Sequence, residues 1–321
     1  MKRSIKKRNI LITGGAGFIG SNLIDVLIRD PNNKITCLDN FDPFYDPQVK
    51  RNNILSHLKK SNYKLVEVDI RNFHQMKSKL ANHYDTIIHL AAKVGVKSSL
   101  KEASVYTEVN INGTQNLLEL TRQLKCKQFI FGSSSSVYGV NSHTPWSEDD
   151  YALKPISPYA STKISGELLG HVYSHLFKFQ FIGLRFFSVY GPRLRPDLVI
   201  HKFTKRILEG KPIDIYGNGK TKRDYTYVDD IVSGIISALD YSGSQYEIIN
   251  LGNNEPVELY QLLHFLEKIL GKKAKVNKLP TQAGDVPTTF ADIRKAQKIL
   301  NYQPRTNLMG GLKNFVDWFR S

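Results

Sequence analysis

Near its amino terminus the chain runs through Asn9-Ile10-Leu11-Ile12-Thr13 directly into Gly14-Gly15-Ala16-Gly17-Phe18-Ile19-Gly20, and an amphipathic stretch follows. A short β-branched run, a glycine turn and a helix start in that order form one unit. Positions without side chains at 14, 17 and 20 let the backbone approach a bulky anion closely, and the first turn of the following helix presents unpaired amides and the positive end of its dipole. A dinucleotide pyrophosphate is the ligand this unit suits, whereas a plain glycine turn needs neither the strand before nor the helix after.

The rest of the first two-thirds repeats the same rhythm. Apolar runs rich in isoleucine, valine and leucine at 9–13, 34–39, 64–70, 86–92, 128–133 and 179–187 read as strands. Amphipathic segments at 17–30, 48–60, 73–82, 105–124 and 158–177 read as helices. This alternation predicts an α/β fold of the Rossmann type, a doubly wound parallel sheet with ligands at the carboxyl ends of its strands. Beyond residue 188 the rhythm loosens into loop chemistry such as Gly191-Pro192-Arg193-Leu194-Arg195-Pro196, although 229–239 and 246–251 read as one more helix and strand returning to the sheet. The expected division is a cofactor-binding domain over 1–188, rejoined by 228–254, and a smaller carboxyl-terminal lobe over 189–321 with helices near 258–270, 292–300 and 308–319.

Composition narrows the class without deciding it. Of 321 residues 41% are apolar and 23% charged, which excludes a disordered or collagen-like chain. The 45 basic against 29 acidic residues leave a formal net charge of +16. That excess favours anionic partners. It is spread along the whole chain without interleaved aromatics, so a solvated lysine-rich surface is expected rather than a nucleic-acid platform. Cys37 and Cys126 each sit in an apolar run and read as small core residues in a reducing, cytoplasmic setting. The basic start breaks into the glycine loop before a secretory leader could form, and no run approaches the roughly 20 apolar residues of a membrane span.

Chemistry gathers at the strand ends. Asp39 closes the second strand about 20 residues past the glycine loop, where a carboxylate accepts from ribose hydroxyls and repels a 2′-phosphate, so NAD is expected over NADP. Asp69-Ile70, placed at the end of the third strand, suit the adenine, and Leu90-Ala91-Ala92, placed at the end of the fourth, leave small residues beside the cofactor. Tyr159-Ala160-Ser161-Thr162-Lys163 opens a predicted helix, and spacing of four sets phenol and ammonium on one face. A neighbouring ammonium favours the phenolate and makes the tyrosine a proton acceptor. Ser133-Ser134-Ser135-Ser136 at the end of the fifth strand offers a hydroxyl to share that proton; the bland alternative is a polar serine loop.

With these residues in place, the chain resembles the extended short-chain dehydrogenases/reductases, specifically the nucleotide-sugar epimerase and dehydratase group. The resemblance runs through TGGAGFIG, Asp39-Asn40, HLAAKVGV, NINGTQNLLE, SSSSVYG, SPYASTK, LRFFSVYGPR, RDYTYVDD and AGDVPTTFADIRKA, over essentially the whole length. It implies NAD in the large lobe, held by Gly14, Gly17, Phe18, Ile19, Gly20, Asp39, Asn40, Asp69, Ile70, Leu90, Ala91, Ala92, Tyr159 and Lys163. It places a UDP-sugar under the small lobe.

Within that group, dehydratases and decarboxylases carry a carboxyl residue in the segment before Val-Tyr-Gly, because elimination or protonation needs an acid there. Here the matching positions are Ser135 and Ser136. Reversible oxidation at carbon 4 through a transient 4-keto sugar is the simpler chemistry, and FDPFYDPQVKRNN with FFSVYGPRLRPD is most similar to UDP-glucuronate 4-epimerases. The resemblance assigns Tyr159, Lys163 and Ser134 to catalysis, Ser135, Ser136 and Ser188 to the sugar carboxylate, and Arg195 to its clamp. It assigns Lys97 to the anionic parts of the substrate, Arg223 to the diphosphate and Tyr216 to the uracil, with Asp285 also at the substrate. Asn110 matches a site-lining asparagine, and a buried structural asparagine fits it equally. Gln282 replaces an arginine common in UDP-glucose epimerases, which moves or removes one diphosphate contact. By the same analogy a homodimer forms through the helices near 105–124 and 158–177.

Competing readings are a UDP-glucose or UDP-N-acetylhexosamine 4-epimerase and, behind it, a UDP-glucuronate decarboxylase. From a different class comes a non-catalytic NAD-sensing or RNA-binding module, which would have little need of the Tyr159, Lys163 and serine set.

Overall fold

A computed structural model describes residues 7–80, 83–151, 153–280 and 286–321. The chain opens with β1 (Arg8–Thr13), α1 (Phe18–Leu27), β2 (Asn33–Asp39), α2 (Pro47–Ile54), β3 (Tyr63–Glu67), α3 (Phe73–Lys79) and β4 (Thr86–His89). Three helical pieces, α4 (Val96–Lys101), α5 (Ala103–Tyr106) and α6 (Gly113–Gln123), lead to β5 (Gln128–Ser134), α7 (Pro158–Phe177) and β6 (Gln180–Phe186). A short β7 (Ser188–Tyr190) and α8 (Val199–Leu208) precede β8 (Ile213–Tyr216), β9 (Lys222–Tyr227), α9 (Val228–Asp240) and β10 (Tyr246–Leu251). The chain closes through β11 (Pro256–Glu258), α10 (Leu259–Leu270), β12 (Val276–Leu279), α11 (Arg294–Leu300) and α12 (Leu308–Arg320).

Seven strands form one sheet in the order β10-β6-β5-β4-β1-β2-β3, every neighbouring pair parallel. Helices cover both faces, and this is why the strands read as continuous apolar runs. Alternate residues serve opposite layers: Ile10, Ile12 and Ile130 pack into one buried cluster, Leu11, Phe129 and Phe131 into the other. Each such fully buried side chain contributes roughly 1.5–3 kcal/mol. The chain winds outward from β1 through β2 to β3 and then crosses back to β4, so a crevice opens between the ends of β1 and β4.

The expected Rossmann-type sheet is thus present, and α9 and β10 do rejoin it. β3 and β4 stop earlier than expected, at Glu67 and His89, which leaves Asp69-Ile70 and Leu90-Ala92 on the loops that follow. The helix expected over 105–124 is broken: Thr107–Asn112 forms a π-helical turn between α5 and α6. The loosened carboxyl-terminal part contains a three-stranded sheet, β11-β9-β7, and a parallel β12-β8 pair. Cys37 and Cys126 are buried and unbridged. Among the described residues no helix is long and apolar enough to cross a membrane.

Candidate active site

A cavity of about 910 Å³ lies over the carboxyl ends of β1, β2, β4, β5 and β6 and continues to β8 and β9. At its cofactor end Gly14 holds φ +71°, and its amide donates to the Leu38 carbonyl at 2.8 Å. A Cβ on Gly20 would stand 2.3 Å from the Gly14 carbonyl oxygen, so the turn closes only with glycine there. Asp39, at the end of β2, accepts from the Ala16 amide at 3.1 Å and the Phe41 amide at 2.9 Å while lining the cavity. One carboxylate therefore shapes the glycine loop and keeps lone pairs for a ligand. Burial pushes the Asp39 carboxyl upward, with the Lys50 charge opposing.

The same end includes Gly17, Phe18, Ile19, Asn40, Asp69, Ile70, Leu90, Ala91 and Ala92, all on the cavity wall. Asn40 donates to Asp69 at 2.9 Å, and Arg71 grips Asp69 at 2.8 and 3.0 Å. Burial would raise the Asp69 carboxyl, yet the Arg71 and Asn40 bonds hold it below the usual range. A cradle that a Cβ would fill, a carboxylate at the ribose position and free amides at the start of α1 together fit NAD.

At the centre, α7 starts on a true cap: Ser157 accepts from the Ala160 amide at 3.2 Å, with Pro158 in the first turn. That start fixes the rotation of Tyr159 and Lys163. Lys163 is 5% exposed and donates to the Gly132 carbonyl at 2.6 Å, and its ammonium lies 5.9 Å from the centre of the Tyr159 ring. Burial lowers Lys163 to about 8 against the opposing charge of Glu167, so the side chain is still largely cationic at neutral pH. Burial raises Tyr159, while a hydrogen bond with Ser134 and the Arg195 charge pull it back. Ser134 also accepts from the Ser136 amide at 3.2 Å and donates to the Ser136 hydroxyl at 3.1 Å, which ties the serine turn to the phenol. Behind this group Glu167 holds Arg185 at 2.9 and 2.8 Å, both buried, and so pins α7 to β6.

At the sugar end, Ser135, Ser136, Ser188 and Arg195 share the wall with Tyr159. The Nε and Nη2 of Arg195, the expected carboxylate clamp, meet Asp197 at 2.9 and 2.8 Å. One edge of the fork is taken, and the rest of the guanidinium is what a ligand can use. Further out, Arg223 lines the cavity, and the Lys97 ammonium sits 4.6 Å over the Tyr216 ring, joining α4 to β8 across the mouth.

Of the two readings open for Asn110, the structural one fits. Asn110 does not line the cavity: it is 2% exposed within the π-helical turn, accepts from the Lys93 amide at 2.8 Å, and donates to the Lys93 carbonyl at 2.9 Å and to Thr162 at 3.0 Å. With all of these bonds made, it fastens the loop after β4 to α7. Asp285 and Gln282 lie outside the described residues. Sequence reasoning missed Tyr45, Lys50, Lys93 and Asp197, all on the wall. Lys50 donates to the Asp42 carbonyl at 2.9 Å and Lys93 pairs with Asp42 at 3.1 Å, so the loop after β2 is bolted from two sides. A lysine in an acidic-aromatic segment was the available signal, but nothing in its spacing pointed inward.

The profile of the NAD dependent epimerase/dehydratase family matches residues 10–252. The chain is 43% identical over 311 residues to a UDP-glucuronate 4-epimerase of Thermodesulfobacterium geofontis, covering 96% of this chain and 95% of that one. It superposes on the crystal structure of UDP-glucuronic acid 4-epimerase from Bacillus cereus in complex with UDP-glucuronic acid and NAD with a TM-score of 0.91 at 38% identity, covering 97% and 99% of the two chains. The UDP-glucose 4-epimerase of Thermotoga maritima, solved with UDP-glucose, gives a TM-score of 0.89 at 32% identity, covering 97% and 98%. Matched along nearly its whole length and carrying the glycine cradle, the Tyr159/Lys163 pair and the serine turn in one cavity, the chain belongs to the NAD-dependent epimerase/dehydratase family.

Proposed function

We propose that the protein interconverts UDP-glucuronate and UDP-galacturonate by epimerisation at carbon 4. The observation that carries this reading is the sugar end of the cavity, where Ser135, Ser136, Ser188 and Arg195 line the same wall as Tyr159. The serine turn offers no carboxyl group to drive an elimination. A 4-keto glucuronate is a β-keto acid prone to lose carbon dioxide, so its carboxylate has to be fixed out of alignment with the ketone. Hydroxyls and an arginine do that through charge-assisted hydrogen bonds without being acids.

NAD bound against Gly17, Gly20 and Asp39 would supply the two-electron acceptor and donor for carbon 4. The residues of the chain handle the proton and the geometry. Tyr159, supported by Lys163 and sharing its hydrogen bond with Ser134, takes the proton of the 4-hydroxyl and later returns it to the ketone oxygen. Lys97, Tyr216 and Arg223 hold the uridine diphosphate while the keto sugar turns its other face to the cofactor. Binding energy therefore belongs mostly to the nucleotide half. In this reading residues 1–188 with 228–254 hold the cofactor, and 189–321 hold mainly the nucleotide sugar.

A second reading has one specific support. Asp197 neutralises Arg195, and a neutral pair accepts a neutral sugar, as in a UDP-glucose or UDP-N-acetylglucosamine 4-epimerase. Incubating the protein separately with UDP-glucuronate, UDP-glucose and UDP-N-acetylglucosamine and resolving products by proton NMR decides between them. UDP-galacturonate from the first alone supports the proposal; conversion only of a neutral sugar overturns it.

Two further assignments complete the proposal. Leu168, Val172 and Leu176 form an exposed apolar stripe at spacing of four on α7, which we assign to a homodimer contact. Buried, unbridged Cys37 and Cys126 suit a reducing cytoplasm.

A further inference from the structure

We infer that Asp25 is a positioning residue for Arg195, acting from α1 through an ion pair with Arg193. The inference rests on the reading of Arg195 as the uronate clamp. Arg193 and Arg195 leave the same loop in different directions. Arg195 faces the cavity, whereas Arg193 reaches α1, where its Nη1 lies 2.7 Å from Asp25 Oδ2. The other oxygen of Asp25 meets His57 Nε2 at 2.5 Å, and His57 is 2% exposed.

The loop needs such a tether. Gly191 has φ +140° and Arg193 φ +67°, the latter a left-handed conformation that residues other than glycine rarely hold. Its closing bond runs from the Leu194 amide to the Gly191 carbonyl at 3.1 Å. Asn22, one turn before Asp25 on α1, donates to the Pro192 carbonyl at 3.2 Å and to the Phe18 carbonyl at 2.9 Å. The helix that opens with the glycine loop thus grips the sugar loop at two successive residues, 192 and 193. Neither Asp25 nor Arg193 lines the cavity, so any effect on the sugar has to travel through the loop to Arg195. An ordinary surface ion pair would be worth little and would not touch substrate binding.

The test uses Asp25→Asn, Arg193→Gly and the double variant, glycine being at ease at φ +67°. KM for UDP-glucuronate is compared with the inhibition constant of UDP, which has no sugar carboxylate. Each single variant should raise KM about fivefold to twentyfold and leave the UDP constant within about twofold, and the double variant should be no worse than either single, because both remove one contact. Unchanged KM, equal rises in both constants, or additive effects overturn the tether. Should Asp25→Asn fail to fold because one acceptor oxygen cannot serve both His57 and Arg193, Arg193→Gly, which leaves the Asp25–His57 contact in place, carries the test. Wild-type protein that ignores UDP-glucuronate overturns the substrate reading and this inference with it, and that failure is visible before any variant is made.

Discussion

Arg195 and Asp197, two residues apart on the cavity wall, face each other through two parallel contacts at 2.9 and 2.8 Å. Burial works against the guanidinium charge, and the Asp197 carboxylate more than offsets it, so Arg195 stays protonated beside Tyr159. The pair fixes the plane of the fork before any sugar arrives. Lysine has neither the plane nor the second edge. Arg195→Lys is expected to raise KM for UDP-glucuronate roughly tenfold to a hundredfold, the value of one charge-assisted hydrogen bond to a carboxylate. Steady-state kinetics with UDP-glucuronate and UDP-glucose check this, and an equal rise for both sugars would remove Arg195 from carboxylate recognition.

Tyr159→Phe keeps the ring against Tyr106, which lies edge-on at 6.3 Å, and removes only the hydroxyl. Turnover should fall by about 10²–10⁴ or more with the fold intact by circular dichroism, since the general base is gone. Full activity in that variant would take Tyr159 out of the role.

Lys163 makes a prediction about stability rather than rate. Its folded pKa of about 8 lies below the ordinary 10.5, chiefly because burial penalises the charge. Between these values the unfolded chain binds the proton and the folded one does not, so this group adds stability as pH rises through the window. Relative to Lys163→Met, the wild type should gain up to roughly 3 kcal/mol between pH 8 and 10.5, with the largest deficit below pH 8. Urea unfolding at pH 7.5 and 9.5 reads the difference. A gap that is constant or closes the other way would mean that Lys163 is not held at a depressed pKa.

Asp39 carries two duties, and its replacement should separate them. Asp39→Asn retains one acceptor oxygen where two backbone amides now bond, so both the glycine loop and the ribose contact weaken. NAD affinity should fall at least about tenfold, and the preference over NADP should narrow because the repelling charge is gone. Titration of both cofactors by calorimetry measures this. Gly20→Ala, whose new Cβ would meet the Gly14 carbonyl oxygen, should cost roughly 1–3 kcal/mol of stability and remove NAD binding.

How much of this was legible from the chain alone varies by element for physical reasons. The parallel sheet was readable because burial on both faces turns each strand into an unbroken apolar run. α7 was readable to the residue because Ser157 and Pro158 mark its start. The π-helical turn over Thr107–Asn112 left no mark, since one extra residue in a helix changes no composition. β9, Lys222–Tyr227, was missed because its polar first half is stabilised by β11, some thirty residues further on. The Arg195–Asp197 pair lay two positions apart in plain view, but spacing alone does not say which arginines are already partnered. Loop 40–46 gave least of all, because Lys50 and Lys93 reach it from separate elements.

The exposed stripe on α7 bears on assembly. Leu168 and Leu176 are 62% and 61% exposed with Val172 between them at 48%, on the outer side of the helix whose inner side holds Lys163 and Glu167. Burying each of these side chains against a second copy is worth roughly 1.5–3 kcal/mol, and a two-fold contact counts every one twice. Sedimentation equilibrium should therefore find a dimer at micromolar concentration, and Leu168→Glu with Leu176→Glu should give a monomer of lower melting temperature. Turnover should fall less than stability does, because Tyr159, Lys163 and the serine turn meet in a cavity wall that residues of one chain form together. A wild-type monomer under the same conditions would exclude the dimer contact, and a dimer unaffected by the double substitution would move it to another face.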